Sequence, residues 1–213
     1  MTKGLVYGVG INDADYIVKP SELINGKYVI TGECPVYSTW KDLVRRCYNE
    51  SFKASHPCYI NTTMSEDWLR FSIFKSWVDK VTEKDYYDID GKKLRLDKDL
   101  LIPNNKHYSP DTCVMVSVKV NNFILSGLNR NSQGKNLPRG VILNKVRGIY
   151  QVFCKDPFNR NSKFIGESSD LGYCERLYTT TKLNYLKDLY KRNYLNLDLY
   201  EKIKFNMVNG FYP

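Results

Sequence analysis

No two of the six cysteines in this 213-residue sequence stand at the CxxC spacing that zinc knuckles usually use. A zinc site would therefore need scattered ligands, for which the candidates are Cys34, Cys47, Cys58 and His56. The alternative is that the cysteines are reduced and buried, because a free cysteine behaves like a small apolar side chain in a reducing compartment. The sequence leaves both alternatives open.

Long apolar runs are also missing. No stretch approaches the ~20 consecutive apolar residues that span a bilayer as a helix. Residues 1–20 do not contain the charged segment followed by an apolar one that marks a secretory signal. We therefore expect a soluble, cytoplasmic protein that makes no contact with a membrane.

Acidic residues are outnumbered by basic ones: 23 Asp and Glu stand against 32 Lys and Arg, which gives a net charge of +9. A surplus of this size favours a polyanionic partner such as nucleic acid, because basic side chains release counterions from phosphates. The 17 tyrosines and three tryptophans fit the same partner, since aromatic rings stack on bases, although they also fill cores. The alternative is a soluble basic protein without such a partner.

The segment Lys93–Phe123 has the pattern of two short strands followed by a helix. Apolar and charged residues alternate over Leu94–Leu100, and a second apolar run covers Cys113–Val116. A polar turn at Pro103–Lys106 separates them. The apolar positions of Val118–Leu125 then repeat at helical spacing, so the segment predicts a strand–loop–strand–helix unit.

Two pairs of oxygen-bearing side chains lie on this predicted unit. Asp97 and Asp99 are on the first strand, and Asn121 and Asn122 are on the helix. Carboxylate and amide oxygens are hard ligands that suit magnesium or another divalent ion held against a phosphate. These four residues are therefore candidate metal ligands. The alternative is structural: the two aspartates cap or pair within the turn and bind no metal.

A hairpin and two helices are predicted before this unit. The Asn25-Gly26 pair predicts a tight turn between the strands Glu22–Ile24 and Lys27–Thr31. Apolar spacing predicts helices over Val36–Asn49 and Ser65–Val81.

Two details of these helices bear on capping and on DNA contact. Ser65 is the predicted N-cap of the second helix, followed by two acidic residues that suit the positive end of the helix dipole. On the first helix, Arg45 and Arg46 lie off the apolar face. They either contact phosphate or face water.

The pattern changes after a stretch rich in glycine, asparagine and serine, for which we predict a linker over residues 127–136. Short strand patterns then cover Leu137–Leu143, Ile149–Lys155 and Lys163–Gly166. Helices are predicted over Leu171–Asn193 and Leu197–Met207. The chain thus divides into residues 1–126, the linker, and residues 137–213, which carry 13 basic and 7 acidic side chains.

Five blocks of the first part stand in an order known from a nuclease family: GVGINDADY, CPVYSTWKDLVRRCYN, DWLRFSIFKSWV, LDKDLL and NNKHYSPDTCVMV. Together they resemble phage-encoded HNH endonucleases of homing type, whose ββα-metal core would lie at about residues 93–125. The resemblance implies a nuclease that hydrolyses DNA phosphodiester bonds with Mg or Mn in the cytoplasm of an infected bacterial cell. It implies Asp97 as the metal ligand on the strand, and Asn121 or Asn122 as the ligand on the helix.

The general base of this family is where the sequence departs from the pattern. Lys98 stands at the position of the usual histidine, and a lysine with an ordinary pKa of ~10.4 stays protonated at neutral pH. Lys98 is instead expected to steady a phosphate or a developing charge. His107 on the other arm of the hairpin is a candidate base. Asp99 is either a second metal ligand or the base.

The C-terminal order LPRGV, YQVF, FIGE and then a helix resembles the plant ethylene-response-factor (AP-two) DNA-binding domain. In that family a three-stranded sheet faces the major groove and the helix braces it from behind. The resemblance implies double-stranded DNA as the partner, contacted by Arg139, Lys145, Arg147, Gln151, Lys155, Arg160 and Lys163. Each of these side chains is also compatible with an ordinary solvated position on a strand.

These patterns predict the α+β class, with a ββα-metal (HNH-like) domain followed by a small three-stranded sheet and helix that bind DNA. The leading functional prediction is a metal-dependent DNA endonuclease or nicking enzyme. Because a lysine replaces the histidine, one alternative is a catalytically degenerate HNH-fold protein that binds DNA in phage regulation or counter-defence. Another is an adaptor that captures a host protein through its aromatic surface.

Overall fold

A computed structural model describes residues 4–125, 137–159 and 161–210 of the chain. Helices and short strands are mixed along these residues, so the predicted α+β class is confirmed. The chain divides into two compact units, Met1–Met115 (unit 1) and Val116–Pro213 (unit 2). The predicted linker at residues 127–136 and the candidate DNA contact Arg160 lie outside the described residues.

Unit 1 begins with a hairpin on the surface. Its antiparallel strands, Ser21–Ile24 (β1) and Lys27–Ile30 (β2), are exposed along their whole length. Asn25 and Gly26 join them with positive φ angles of 50° and 76°, as a two-residue hairpin turn of type I′ requires. The predicted hairpin is confirmed, with each outer strand end shifted by one residue.

Three α-helices and two 3₁₀ turns follow in unit 1. The α-helices are Pro35–Tyr48 (α1), Glu50–Ser55 (α2) and Phe71–Thr82 (α3), and the 3₁₀ turns are Pro57–Tyr59 and Glu66–Leu69. Pro35 begins α1, where its missing N–H breaks no helical hydrogen bond. The core between α1 and α3 is aromatic: Trp40, Trp68, Phe71 and Phe74 have no exposed surface. The buried indole N–H of Trp40 donates to the Trp68 carbonyl at 2.7 Å.

The helix predicted over Ser65–Val81 is divided after Leu69, and α3 begins only at Phe71. Ile11 occupies the break, because its N–H donates to the Leu69 carbonyl (2.8 Å) and its carbonyl accepts from the Phe71 N–H (3.0 Å). The hydroxyl of Ser65 makes no capping hydrogen bond, so the predicted N-cap is wrong. A backbone contact from a distant segment overrides the local helical pattern here.

Two small sheets complete the first part of the chain. Thr63–Met64 (β3) runs parallel to His107–Tyr108 (β5), and Arg95–Asp97 (β4) pairs with Val114–Val116 (β6), within which the division between the units falls. Both strands predicted within Lys93–Phe123 are present but shorter. The β3–β5 pairing is an addition that no local pattern indicates.

In its described residues, unit 2 combines helices with a three-stranded antiparallel sheet. Helix Val118–Leu125 (α4) has the predicted bounds. In sheet order the strands are Val141–Asn144 (β7), Ile149–Lys155 (β8) and Ser162–Ser168 (β9), followed by the helices Leu171–Lys191 (α5) and Leu197–Val208 (α6). The predicted order of strands and helices is confirmed, although β7 begins four residues later than predicted.

Helix α5 packs on one face of this sheet. Val141, Val152 and Cys154 from the strands are buried against Cys174 and Tyr178 from the helix. At 21 residues α5 is the longest described helix. No described helix combines the length and the apolar content that crossing a membrane needs.

Gly140 brings the start of the sheet close to α5. Its φ is +68°, and a Cβ at this position would overlap the Tyr178 ring and the Phe153 carbonyl oxygen. Only glycine adopts this backbone conformation without cost and leaves room for the ring. The turn at Gly140 therefore delays β7 until Val141.

Candidate nucleic-acid interface and candidate metal ligands

The turn after β4 is held by the Asp97 carboxylate. Its Oδ1 accepts hydrogen bonds from the backbone N–H groups of Asp99 (2.7 Å) and Leu100 (2.8 Å), which is the geometry of an Asx turn. Burial raises the pKa of Asp97 and the charge of Asp99 adds to the shift, while the two N–H donors oppose it. Asp97 therefore has a structural role in the turn, and both hydrogen bonds use the same oxygen.

Lys98 is buried, with only 8% of its side chain exposed. Its ammonium forms an ion pair with Asp99 Oδ2 at 2.7 Å, and it lies 5.6 Å from the centre of the Tyr108 ring. The structure thus brings Lys98 and Asp99 together, as the structural alternative for this turn requires. An ammonium held in this way donates hydrogen bonds and carries positive charge, and it is no proton acceptor.

His107 belongs to a different local network. Its Nδ1 is 2.8 Å from the Thr63 hydroxyl oxygen, and the residue is exposed. Successive side chains of a strand point to opposite faces, so the imidazole lies on the other side of β5 from the Tyr108 ring that contacts Lys98. The structure does not join His107 to the Lys98–Asp99 pair.

Arg45 and Arg46 on α1 are both engaged within unit 1. Arg45 pairs with Asp42 at 3.0 Å and lies over the Phe52 ring. Arg46 donates to the Tyr108 hydroxyl at 3.4 Å and lies over a second tyrosine ring. Of the two, Arg45 keeps more of the freedom that a phosphate contact needs, since 38% of its side chain is exposed.

Asn121 and Asn122 lie on α4, in unit 2, whereas Asp97 and Asp99 belong to unit 1. The Asn121 Oδ1 is buried and has no hydrogen-bond partner among the described residues. A buried amide oxygen without a partner is costly and rare in folded proteins. It therefore retains the capacity to accept a hydrogen bond or to bind a cation, while Asn122 is exposed.

The cysteines give no support to a zinc site. All six are free, and four of them are buried: Cys47, Cys113, Cys154 and Cys174. Within the described ranges there is no group of three or more His, Cys, Asp and Glu side chains that could hold a metal. His56 is instead stacked on the Phe52 ring at 4.1 Å between ring centres.

The sheet of unit 2 presents a second surface on the side away from α5. In an antiparallel pair, directly opposed residues share a face, and the register pairs Gln151 with Glu167 and Phe153 with Phe164. With Lys155, which is two residues beyond Phe153, these side chains form what we call the outer face. The two phenylalanine rings meet edge to face, 5.6 Å apart, and 53% of Phe164 is exposed.

Arg147 reaches the outer face from the turn between β7 and β8. Its Nη1 and Nη2 donate to the two carboxylate oxygens of Glu167 at 2.9 and 2.7 Å, and Gln151 Nε2 donates to Glu167 at 3.3 Å. The hydrogen bond from Arg147, with that from Gln151, holds the pKa of Glu167 below its ordinary value. The guanidinium is thus fixed in orientation while 55% of the side chain remains exposed.

The remaining candidate DNA contacts do not gather on this face. Lys145 is exposed in the β7–β8 turn. Lys163 is opposite the buried Cys154, hence on the α5 side, and its ammonium pairs with Asp156 at 2.7 Å. Arg139 is half-buried beside Tyr178 on α5. The structure thus places Arg147, Gln151 and Lys155 on one face, with Arg147 and Gln151 both bonded to Glu167, and the other described candidates away from it.

Lys182 is the residue with functional potential that the sequence patterns missed. It lies on the buried side of α5, four residues after Tyr178 and four before Leu186. A lysine inside an apolar stripe at helical spacing is a signal that could have identified it.

Comparison with known proteins gives no relative: no family model, no curated protein and no solved structure matches the chain. The HNH and AP-two resemblances therefore rest on the short sequence blocks alone. Function has to be inferred from the contacts described above.

Proposed function

We propose that the chain binds double-stranded DNA through the outer face and acts on it as a metal-dependent endonuclease or nicking enzyme of homing type. The observation that carries the DNA binding is that Arg147, Gln151 and Lys155 share the outer face with the exposed ring of Phe164. Cations of this kind contact phosphates, and planar donors such as Arg and Gln read base edges. The AP-two resemblance supports the same surface, because that family binds DNA with a three-stranded sheet.

The contact between Arg147 and Glu167 prepares the guanidinium for binding. Two parallel hydrogen bonds hold its plane in one orientation, so less side-chain entropy is lost when it meets a partner. The Glu167 carboxylate also lowers the positive charge of the surface. We therefore expect it to add selectivity more than affinity.

Binding is tested with the full chain and a fluorescent duplex. The double variant Arg147→Ala/Lys155→Ala should bind roughly tenfold or more weakly, since each lost phosphate or base contact weakens binding. Lys187→Ala/Lys202→Ala removes the same charge from exposed positions on α5 and α6 and should stay within about twofold of the wild type. Equal losses in the two double variants would contradict binding at the outer face.

Two observations support phosphodiester hydrolysis as the activity. The Asp97 carboxylate ends β4, and Asn121 Oδ1 is a buried oxygen without a partner in the described part of the chain. Asp99 also carries oxygen atoms, and carboxylate and amide oxygens are the ligands that Mg or Mn prefers. A divalent ion held by such ligands would stabilise charge on the phosphate and lower the pKa of a coordinated water.

The other residues of the implied site have distinct tasks in this proposal. Lys98 supplies positive charge to a phosphate oxygen from its ion pair with Asp99. His107 is the proposed general base, and because it lies on the other side of β5 from the Tyr108 ring that contacts Lys98, this role requires a rearrangement on DNA binding. Asn122 is an alternative to Asn121 as the amide ligand.

The Lys98–Asp99 ion pair favours a second candidate function, a DNA-binding protein without catalytic activity. In that case the polar groups of the turn serve only its structure, as the Asx turn at Asp97 already does. Such a protein would act in phage regulation or counter-defence.

Plasmid cleavage separates the two functions. The wild type with Mg²⁺ or Mn²⁺ should give nicked or linear DNA, and Asp97→Asn and Asn121→Ala should each abolish the product. Asp111→Asn, which changes an exposed carboxylate, should cut like the wild type. If neither the wild type nor Lys98→His cuts with any metal while both still bind DNA, the non-catalytic function is correct.

A further inference from the structure

Unit 2 has a pocket on the α5 side of the sheet, away from the outer face. Its volume is about 230 Å³, and its lining includes Arg139, Glu175, Tyr178, Thr179 and Lys182. A water molecule in the liquid takes up about 30 Å³, so the pocket has room for several waters or a small polar group. It is smaller than the ~300–1,000 Å³ pockets that enclose drug-sized ligands.

Arg139 lines this pocket, and one of its donors is unsatisfied. Its Nη2 is buried and has no hydrogen-bond partner in the part of the chain that the structure describes, and burial lowers the pKa of the guanidinium. Buried donors in folded proteins are almost always matched by an acceptor. The guanidinium geometry suits an acceptor with two oxygens, such as a carboxylate or a phosphate.

Lys182 adds a second cation to the same pocket. It is 5% exposed, its Nζ donates to the Phe123 carbonyl at 2.6 Å, and it lies 3.8 Å from the centre of the Phe123 ring. Burial, together with the charges of Arg139 and Lys155, lowers its pKa to about 7, while Cys154 opposes the shift. An anion in the pocket would favour the protonated amine.

The polar groups around the two cations indicate the kind of anion. The hydroxyls of Tyr178 and Thr179 are donors that suit a phosphate with several oxygens. Glu175 lines the pocket too and repels a bare anion, so it favours a ligand that carries a hydrogen-bond donor besides the phosphate, such as the ribose hydroxyls of a nucleotide.

We propose that this pocket binds the phosphate group of a nucleotide between Arg139 and Lys182. Glu175 then accepts a hydrogen bond from the sugar. This site is independent of DNA binding at the outer face. It also assigns Arg139 to a small ligand in place of the DNA contact expected from the sequence.

Thermal unfolding and titration calorimetry of the full chain test the site in phosphate-free buffer at constant ionic strength. A nucleoside 5′-monophosphate should stabilise the wild type saturably, because a ligand that binds only the folded state raises its stability. Inorganic phosphate should bind more weakly, and the nucleoside alone should not bind. If inorganic phosphate binds as tightly as the nucleotide, the assigned role of Glu175 is wrong.

Variants connect the binding to the two cations. Arg139→Gln and Lys182→Met should each weaken nucleotide binding by about tenfold or more, since hydrogen bonds to charged groups contribute at least that factor. Arg176→Gln, which changes an exposed arginine on the same helix, should bind like the wild type.

The methionine variant keeps the test decisive, because replacing a buried charge by an apolar side chain of similar length usually preserves folding. A wild type that shows no saturable response would overturn the proposal. Equal affinities of Lys182→Met, Arg139→Gln and Arg176→Gln would overturn it as well.

Discussion

The turn at Asp97–Asp99 in unit 1 and the outer face in unit 2 each contain a cation paired with a carboxylate. The two cations differ in their exposure to solvent. In the turn, 8% of the Lys98 side chain is exposed and its ammonium is paired with Asp99. On the outer face, 55% of the Arg147 side chain is exposed although it is also paired, with Glu167. The Lys98 cation is thus largely withdrawn from solvent, although 42% of its partner Asp99 is exposed, while the Arg147 cation stays accessible to a partner.

This difference has an energetic consequence. A buried charge depends strongly on its partner, because the partner offsets the desolvation of the charge. An exposed ion pair contributes only about 0–1 kcal/mol to stability. Changes in the turn should therefore affect folding first, and changes on the outer face should affect DNA binding first.

The largest effect is expected on the α5 side of the sheet, at Gly140. Gly140→Ala should lower the free energy of unfolding by about 2–5 kcal/mol, since a left-handed non-glycine residue costs about 1–2 kcal/mol and overpacking about 1–3 kcal/mol. Chemical denaturation followed by circular dichroism measures this loss. A loss below about 1 kcal/mol would show that Tyr178 does not need the close approach.

The pH dependence of stability tests whether Lys182, like Lys98 in the turn, is a buried charge. Its pKa falls from 10.5 to about 7 in the folded protein, so between these values the unfolded state binds more protons and stability rises with pH. The penalty for burying the charge is fully present below about pH 7. Lys182→Met removes it, so its gain in stability over the wild type should be greatest below pH 7 and shrink towards pH 10.

Denaturation of the wild type and Lys182→Met across this pH range measures the difference. Comparing the two proteins cancels the contribution of the other titrating groups. A gain that does not depend on pH would contradict a charged, buried Lys182.

Asp97 tests the structural side of the comparison. Asp97→Ala should cost about 1–3 kcal/mol, because two backbone N–H groups lose their acceptor. Asp97→Asn keeps an oxygen that can accept these hydrogen bonds and removes a carboxylate whose charged form burial disfavours, as its raised pKa shows. The stability of this variant should therefore equal or exceed that of the wild type. Fluorescence reports this transition, because all three tryptophans lie in unit 1. Equal stabilities of the Ala and Asn variants would show that the Asx turn is dispensable.

Glu167 gives the smallest expected change in stability. Glu167→Gln should leave the stability nearly unchanged, since the pair with Arg147 is exposed and solvent screens it. It should tighten binding to unrelated duplexes, because a negative charge leaves the outer face, and reduce the preference among sequences. A large loss of stability would make this pair a structural one, like Lys98–Asp99.

Local patterns predicted the helices and strands whose apolar residues repeat regularly. Helix α4 has the predicted bounds, and the ranges predicted for β8 and α6 differ from the observed ones by at most one residue. The division of the helix after Leu69 was not predictable, because its cause is a backbone contact with Ile11, far away in the sequence. The late start of β7 depends in the same way on the approach of the Tyr178 ring to Gly140.

The residues of the candidate site were predicted less completely, again because contacts between distant parts of the sequence decide their positions. Residue types suggested metal ligands at Asp97 and Asp99, and the AP-two resemblance implied DNA contacts at Arg139 and Lys163. Which partner each charged side chain contacts depends on tertiary packing. Lys163 pairs with Asp156, and Arg139 turns into the pocket on the α5 side.

The salt dependence of duplex binding by the full chain decides whether the outer face is the DNA-binding surface. The logarithm of affinity falls linearly with the logarithm of salt concentration, with a slope of about −0.9 for each phosphate neutralised. Arg147→Ala/Lys155→Ala should make the slope shallower by about 1–2, one step for each lost cation that neutralises a phosphate. Lys187→Ala/Lys202→Ala should leave it unchanged. An unchanged slope in the first variant, or the same change in both, would contradict DNA binding at the outer face.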